Sequence, residues 1–242
     1  MKLCAAQIAP QAGRVDLNLN KHLAAIDQAI SHGAKFVLFP ELSLTGYEPT
    51  LASDLALAPS DPCLDVFQGR ADDTAVAIAL GVPLRSSAGI QIGMMVFRPR
   101  LPRASYAKQQ LHPDEQTHFA CGDRALCLPY SEHVLAPAIC YESLQADHAA
   151  SAARLGADVY LASVAKSAHG VTQAGEHYPQ IAQRHGMVVV MANSIGPCDD
   201  FVSAGRSAIW NQRGQVVAQL EEHAEGLVIF DISTGRGKAV SI

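Results

Sequence analysis

The chain has 242 residues, of which 49% are hydrophobic and 17% charged, and its formal net charge is −5. It can therefore bury a sizeable core, and it lacks the clustered basic face that nucleic-acid binding needs. No stretch reaches the ~18 uninterrupted apolar residues of a membrane-spanning helix, so neither nucleic acid nor membrane is expected as a partner.

The N-terminal Met1-Lys2-Leu3-Cys4-Ala5-Ala6-Gln7 enters a strand-like run directly. It has no signal-peptide apolar region, which points to the cytoplasm. The apolar run Lys2 to Ile8 reads as a buried strand, with a turn at Gln11-Ala12-Gly13. A helix is predicted from about Asp16 or Asn18 to His32, with Leu19, Leu23, Ile26 and Ile30 on one face and Gly33 as its stop. Lys35 to Phe39 is a second buried strand ended by Pro40. Residues 49–73 read as loop and helix, with Asp61-Pro62 as a cap and first turn.

Strands follow at Ala75 to Val82, Ile90 to Phe97 and Ser105 to Lys108, the last two closely linked and so read as an antiparallel pair. The polar segment Gln109 to Gly122 reads as a loop carrying a short helix. His133 to Cys140 is a strand that turns at its cysteine, followed by a helix over Leu144 to Leu155 and a strand over Gly156 to Ala162. A helix over about Gln173 to His185 contains Pro179, which predicts a kink or early break. Met187 to Ala192 is a strand, Arg213-Gly214 marks a hairpin, and Leu227 to Ile232 is the last predicted strand.

Gly33-Ala34-Lys35-Phe36-Val37-Leu38 and Gly156-Ala157-Asp158-Val159-Tyr160-Leu161 share one form: helix end, Gly-Ala, a polar residue, then strand. Two such halves predict a layered α/β sheet structure with internal pseudo-symmetry. No linker or low-complexity segment interrupts residues 1–242, so one domain is expected.

Six cysteines, Cys4, Cys63, Cys121, Cys127, Cys140 and Cys198, are scattered without a CxxC pair. A large intracellular α/β chain does not need disulfides. Only Cys121 and Cys127, with His118 nearby, loosely suggest a metal site, and no metal is expected. A lone cysteine at a strand end is most often a packed apolar residue. Here it shares its position with two other groups. Glu41, between apolar flanks, and Lys108 also end predicted strands, and such ends form the ligand edge of α/β sheets. A thiol, a carboxylate and an ammonium make a coherent set for acyl transfer: the carboxylate takes the thiol proton. The ammonium, helped by the N–H of Tyr141, then stabilises a tetrahedral oxyanion.

At these residues the sequence resembles the nitrilase superfamily of carbon–nitrogen hydrolases. The resemblance rests on Phe39-Pro40-Glu41-Leu42-Ser43-Leu44-Thr45-Gly46-Tyr47, Tyr106-Ala107-Lys108 with Leu111, and Ala138-Ile139-Cys140-Tyr141-Glu142, in that order. It continues through Met191-Ala192-Asn193-Ser194-Ile195-Gly196 and Gly205-Arg206-Ser207-Ala208-Ile209 to Gly214. It implies a four-layer α-β-β-α sandwich that pairs into a homodimer or higher homo-oligomer, and no cofactor. It also implies Glu41 as general base and acid, Lys108 as oxyanion stabiliser and Cys140 as nucleophile. A second glutamate follows the lysine in that family; Glu115 matches it, with Asp114 as the alternative.

The implied reaction is hydrolysis of a small non-peptide amide through a Cys140 thioester. Acyl transfer to an amine, nitrile hydrolysis and a catalytically silent binding protein are the alternatives. Two departures stand out: Ser163-Val164-Ala165-Lys166-Ser167-Ala168 replaces an aromatic or Asn-Pro segment, and Ile242 leaves little tail to cross to a partner. Tyr47 and Tyr141 are candidate pocket walls, and Lys166 is the one nearby cation for a carboxylate-bearing amide. Glu142 reads as a structural turn residue, His112 and His118 as loop histidines, and Arg206 as structural.

Overall fold

The computed structural model describes residues Met1–Ile242. The first half of the chain forms β1 (Lys2–Gln7), α1 (Val15–Ser31), β2 (Phe36–Leu38), α2 (Ala52–Leu55), α3 (Asp65–Thr74), β3 (Ala77–Ser86), β4 (Gly89–Phe97) and β5 (Ala104–Ala107). The second half begins with β6 (Leu128–Tyr130), β7 (His133–Ile139), α4 (Ala146–Arg154), β8 (Val159–Val164), α5 (Ala168–His185) and β9 (Val188–Asn193). It ends with β10 (Ile195–Cys198), β11 (Phe201–Ala204), β12 (Ala208–Trp210), β13 (Val216–Gln219), β14 (Gly226–Asp231) and β15 (Arg236–Ser241). One sheet has the order β15-β14-β1-β2-β3-β4-β5, a second β13-β12-β9-β8-β7-β6, and β10 pairs with β11 apart from both.

The central strands have no polar face because both faces are covered. In β8, Val159 and Leu161 point into the core between the sheets, while Tyr160, Ala162 and Val164 pack with α4 and α5. In β1, Leu3 and Ala5 join the inter-sheet core, and Cys4 and Ala6 face α1 and α3. The period-two alternation thus sorts apolar side chains into three cores separating four layers, α-β-β-α, as the resemblance implied.

The repeated Gly-Ala motif marks equivalent points in the two halves. Gly33 and Gly156 both have positive φ. Ala34 N–H donates to Ala29 O at 3.0 Å and Ala157 N–H to Ala152 O at 3.1 Å, each closing its helix before the strand begins. The strands that follow lie in matching parallel trios, β1-β2-β3 and β7-β8-β9.

Several local expectations change. α5 begins at Ala168, five residues earlier than the apolar pattern indicated, because Ser167 caps it: its side chain accepts from Gly170 N–H. The helix also runs unbroken through Pro179, held to the sheet by Val171, Ala174, Tyr178, Ile181 and Ala182 on one face. The helix predicted from Leu144 divides into a 3₁₀ turn over Cys140–Leu144, an extended Gln145 and α4. A further strand, β15, follows the predicted last one, and its exposed, charged residues suit a sheet edge and hide it from hydropathy. Strand β6 carries Pro129, which a sheet edge tolerates.

Gly81 in β3 lies against the turn after β2. A Cβ there would sit 2.2 Å from Leu42 N and 2.5 Å from Pro40 O, so the turn approaches the strand backbone directly. Gly81→Ala is expected to lower stability by about 1–3 kcal/mol, read from the denaturation midpoint, because the obstructing atoms are backbone and cannot rotate away.

Candidate active site

Three elements from both sheets converge at one end of the sandwich. Glu41 sits in the turn after β2, where Leu42 adopts a φ of 49°. Two buried polar residues of α1 hold that turn. Asn18 Nδ2 donates to Gln11 O at 2.8 Å and Leu44 O at 3.1 Å, and His22 Nε2 lies 2.9 Å from Ser43 Oγ. Burial lowers the His22 pKa to about 4, which keeps the ring neutral. Ser163 Oγ of β8 donates to Phe39 O at 2.9 Å, fastening the second sheet to the first beside Glu41.

Lys108 follows β5 and is fully buried. Its Nζ donates to Glu41 Oε1 at 2.8 Å and to Glu115 Oε1 at 2.6 Å. Glu115 is also held by Tyr47 OH at 3.0 Å and by the N–H of His112, which donates to Oε2 at 2.7 Å. Of the two adjacent acids it is Glu115 that contacts Lys108; the Asp114 carboxylate is exposed and lies near His112.

Cys140 begins the 3₁₀ turn after β7 with a φ of 45°, a left-handed conformation that a side-chain-bearing residue adopts only when its surroundings enforce it. Part of that enforcement comes from Glu142. Its carboxylate is buried and accepts from Ile139 N–H at 2.7 Å, Tyr106 OH at 2.8 Å and Gln109 N–H at 2.7 Å. It ties the cysteine turn to the segment that carries Lys108. From sequence alone Glu142 reads as a local turn residue, because its partners Tyr106 and Gln109 are distant along the chain; the one local signal is an acidic residue beside an apolar stretch.

The charges are ordered by environment. Burial raises the Glu41 pKa to about 7 despite the opposing pull of Lys108. Burial works against the Lys108 ammonium too, but Glu41, Cys140 and Glu115 outweigh it and hold its pKa above the ordinary lysine value. Burial and then Glu41 raise the Cys140 thiol to about 11, against the pull of Lys166 and Lys108. Near neutral pH the sulfur rests as a thiol. Glu41 Oε2 is buried without a hydrogen-bond partner, and the Cys140 thiol is close enough to favour its ionised form. One carboxylate oxygen is thus fixed by Lys108 and the other is free to take a proton.

Cys140 and Glu115 border a cavity of about 790 Å³. Tyr47, Tyr141 and Lys166 line it, and so do His112 and His118, which from sequence alone read as loop histidines. Lys166 Nζ lies 3.9 Å from Cys140 Sγ. Asp199 and Asp200, from the β10–β11 connection, Phe201, which opens β11, and Glu176, from α5, complete much of the wall. No group of three or more His, Cys, Asp or Glu side chains is arranged to hold a metal ion, and no helix is long and apolar enough to cross a membrane.

Comparison with known proteins places this arrangement. A glutamine-dependent NAD(+) synthetase of Acinetobacter baylyi is 25% identical over 99% of the chain, which spans 46% of that protein. The chain is therefore about half as long as the curated relatives of this kind. A nitrilase of Pyrococcus abyssi is 26% identical, with 100% of this chain and 94% of that one aligned. Among solved structures, an amidase from Nesterenkonia sp. AN1 superimposes with a TM-score of 0.87 at 25% identity, covering 96% of this chain and 92% of that one. A variant of that amidase carries the acetamide moiety of fluoroacetamide covalently added at its active site cysteine. The family model described as carbon-nitrogen hydrolase matches residues 2–241. With that match spanning both sheets and all three converging turns, the chain belongs to the carbon-nitrogen hydrolase family.

Proposed function

We propose that this protein hydrolyses the C–N bond of small non-peptide amides, with Cys140 as nucleophile, Glu41 as proton carrier, Lys108 as oxyanion stabiliser and Glu115 as the residue that positions Lys108. The observation that carries this reading is the pairing of a neutral thiol on the cavity wall with a carboxylate whose pKa, about 7, suits a proton relay. Glu41 Oε2 takes the Cys140 proton as sulfur attacks the amide carbon. The oxyanion forms against Lys108 Nζ and the N–H of Tyr141. Glu41 returns the proton to the departing ammonia or amine. Water, deprotonated by Glu41, then attacks the thioester, and the acid leaves with the thiol restored.

The names of relatives favour one further amide. The synthetases are named glutamine-dependent, and the cavity wall carries both Lys166 and the carboxylates of Glu176, Asp199 and Asp200, matching the two charges of a free amino acid. Ammonia release from a panel of neutral amides and glutamine separates the two substrate choices. Absence of release from every compound would refute hydrolysis.

Cys140→Ala is expected to reduce turnover by on the order of 10⁴ or more. Glu41→Gln should reduce it by about 10²–10⁴, the typical worth of a positioned base. Because protonated Glu41 cannot accept the thiol proton, kcat/KM should fall as pH drops through about 7. A flat profile across that range would remove Glu41 from the role. Glu142→Ala should leave buried donors unpaired, costing about 1–3 kcal/mol in a denaturant titration. It should lower kcat more than it raises KM, since the misplaced groups are the reacting ones.

A further inference from the structure

Lys166 differs from Lys108 in what surrounds it. Its main chain is pinned: the N–H donates to Asn193 Oδ1 at 2.8 Å, and the carbonyl accepts from Asn193 Nδ2 at 3.1 Å and Ala204 N–H at 2.9 Å. The residue is only 5% exposed, and its side chain runs past Gly170, where an added Cβ would lie 3.2 Å from Lys166 Cβ. Lys108 is neutralised by two carboxylates. The polar partner of Lys166 Nζ is the Cys140 sulfur, 3.9 Å away, and no ion pair involves this lysine. A buried cation without a counter-charge is costly unless one develops beside it.

Such a charge develops at Cys140. We propose that Lys166 is a further catalytic residue that holds the Cys140 sulfur anion, donating an N–H to Sγ when the thiol proton passes to Glu41 and again when the thioester C–S bond breaks. Lys166 gives up no proton. The S–H proton goes to Glu41 Oε2, and the sulfur pair forms the bond to the amide carbon. Two carboxylates, Glu41 and Glu115, and two ammonium groups, Lys108 and Lys166, enclose the thiol. Moving the proton leaves their sum with sulfur unchanged, while negative charge shifts from Lys108 toward Lys166.

The titratable groups whose charge bears on the sulfur are Glu41, Glu115, Lys108, Lys166, Tyr47 and Tyr178, and that of Lys166 bears on His177; the thiol itself donates to Ala165 O at 3.6 Å. Within that set Lys166 outweighs Lys108 in favouring the thiolate. This residue lies in the segment where the chain departs from the family pattern, so the family resemblance does not supply the role.

The inference rests on Cys140 being the nucleophile, and the test reads that residue apart from turnover. Iodoacetamide, a neutral electrophile, would be reacted with the intact protein and with Lys166→Met and Lys166→Arg variants, and labelling at Cys140 followed by peptide mass spectrometry across about pH 6–10. Lys166→Met should label about tenfold more slowly than wild type at every pH in that range, the consequence of a thiolate about one pH unit harder to form, while Lys166→Arg retains most of the rate. Lys166→Gln, with its fold checked by thermal melting, serves if the Met variant does not fold. Identical labelling rates at each pH for wild type and the neutral variants would overturn the inference, as would a variant that loses only turnover of carboxylate-bearing amides. Failure of wild-type Cys140 to label at any pH would instead overturn the nucleophile reading, and this one with it.

Discussion

The candidate site depends on a buried ammonium held between two carboxylates. Lys108 Nζ reaches Glu41 and Glu115 with no solvent to share the charge. Taking these ions out of water costs several kcal/mol each, and their attraction repays it only when the geometry is fixed. Much of the surrounding structure supplies that fixing. Tyr47 and the His112 N–H hold Glu115, Asn18 and His22 brace the Glu41 turn, and Gly81 lets that turn lie against β3. Apolar residues would fill this volume at lower cost, so the clamp is better understood as machinery than as a stabilising device.

The clamp also divides the labour of Glu41. One oxygen is committed to Lys108 and the other is unpartnered beside the thiol. Burial raises both the carboxylate and the thiol. The sulfur is therefore protonated near neutrality, and the proposed relay needs a carboxylate that accepts and returns a proton in that same range.

Glu142 does for the backbone what Lys108 does for the charges. By accepting from Ile139, Tyr106 and Gln109 it joins the end of β7 to the segment after β5, so the cysteine and lysine turns are set relative to one another through one side chain. The inter-sheet bond from Ser163 Oγ to Phe39 O does the same for the Glu41 side. Three turns from two sheets then meet at fixed separations, although their residues are far apart in the chain.

The sequence by itself determined the layered α/β class. Continuous apolar runs bounded by glycine and proline can be satisfied only by strands covered on both faces, and the doubled Gly-Ala motif marks the two halves. It also put forward Glu41, Lys108 and Cys140 as candidates, each at the end of a predicted strand, and the family resemblance joined them into one set. Local pattern could not decide the choice of Glu115 over Asp114, the reach of Glu142 to Tyr106 and Gln109, the start of α5 at Ala168, or the entry of His112 and His118 into the cavity wall. Each of these depends on a partner distant in sequence or on a cap whose donor and acceptor must first be brought together. Nor could it place Lys166 beside sulfur. That contact exists because β7 and β8 run parallel and adjacent, which puts the residues following both strands at the same edge; register, not residue type, decides it.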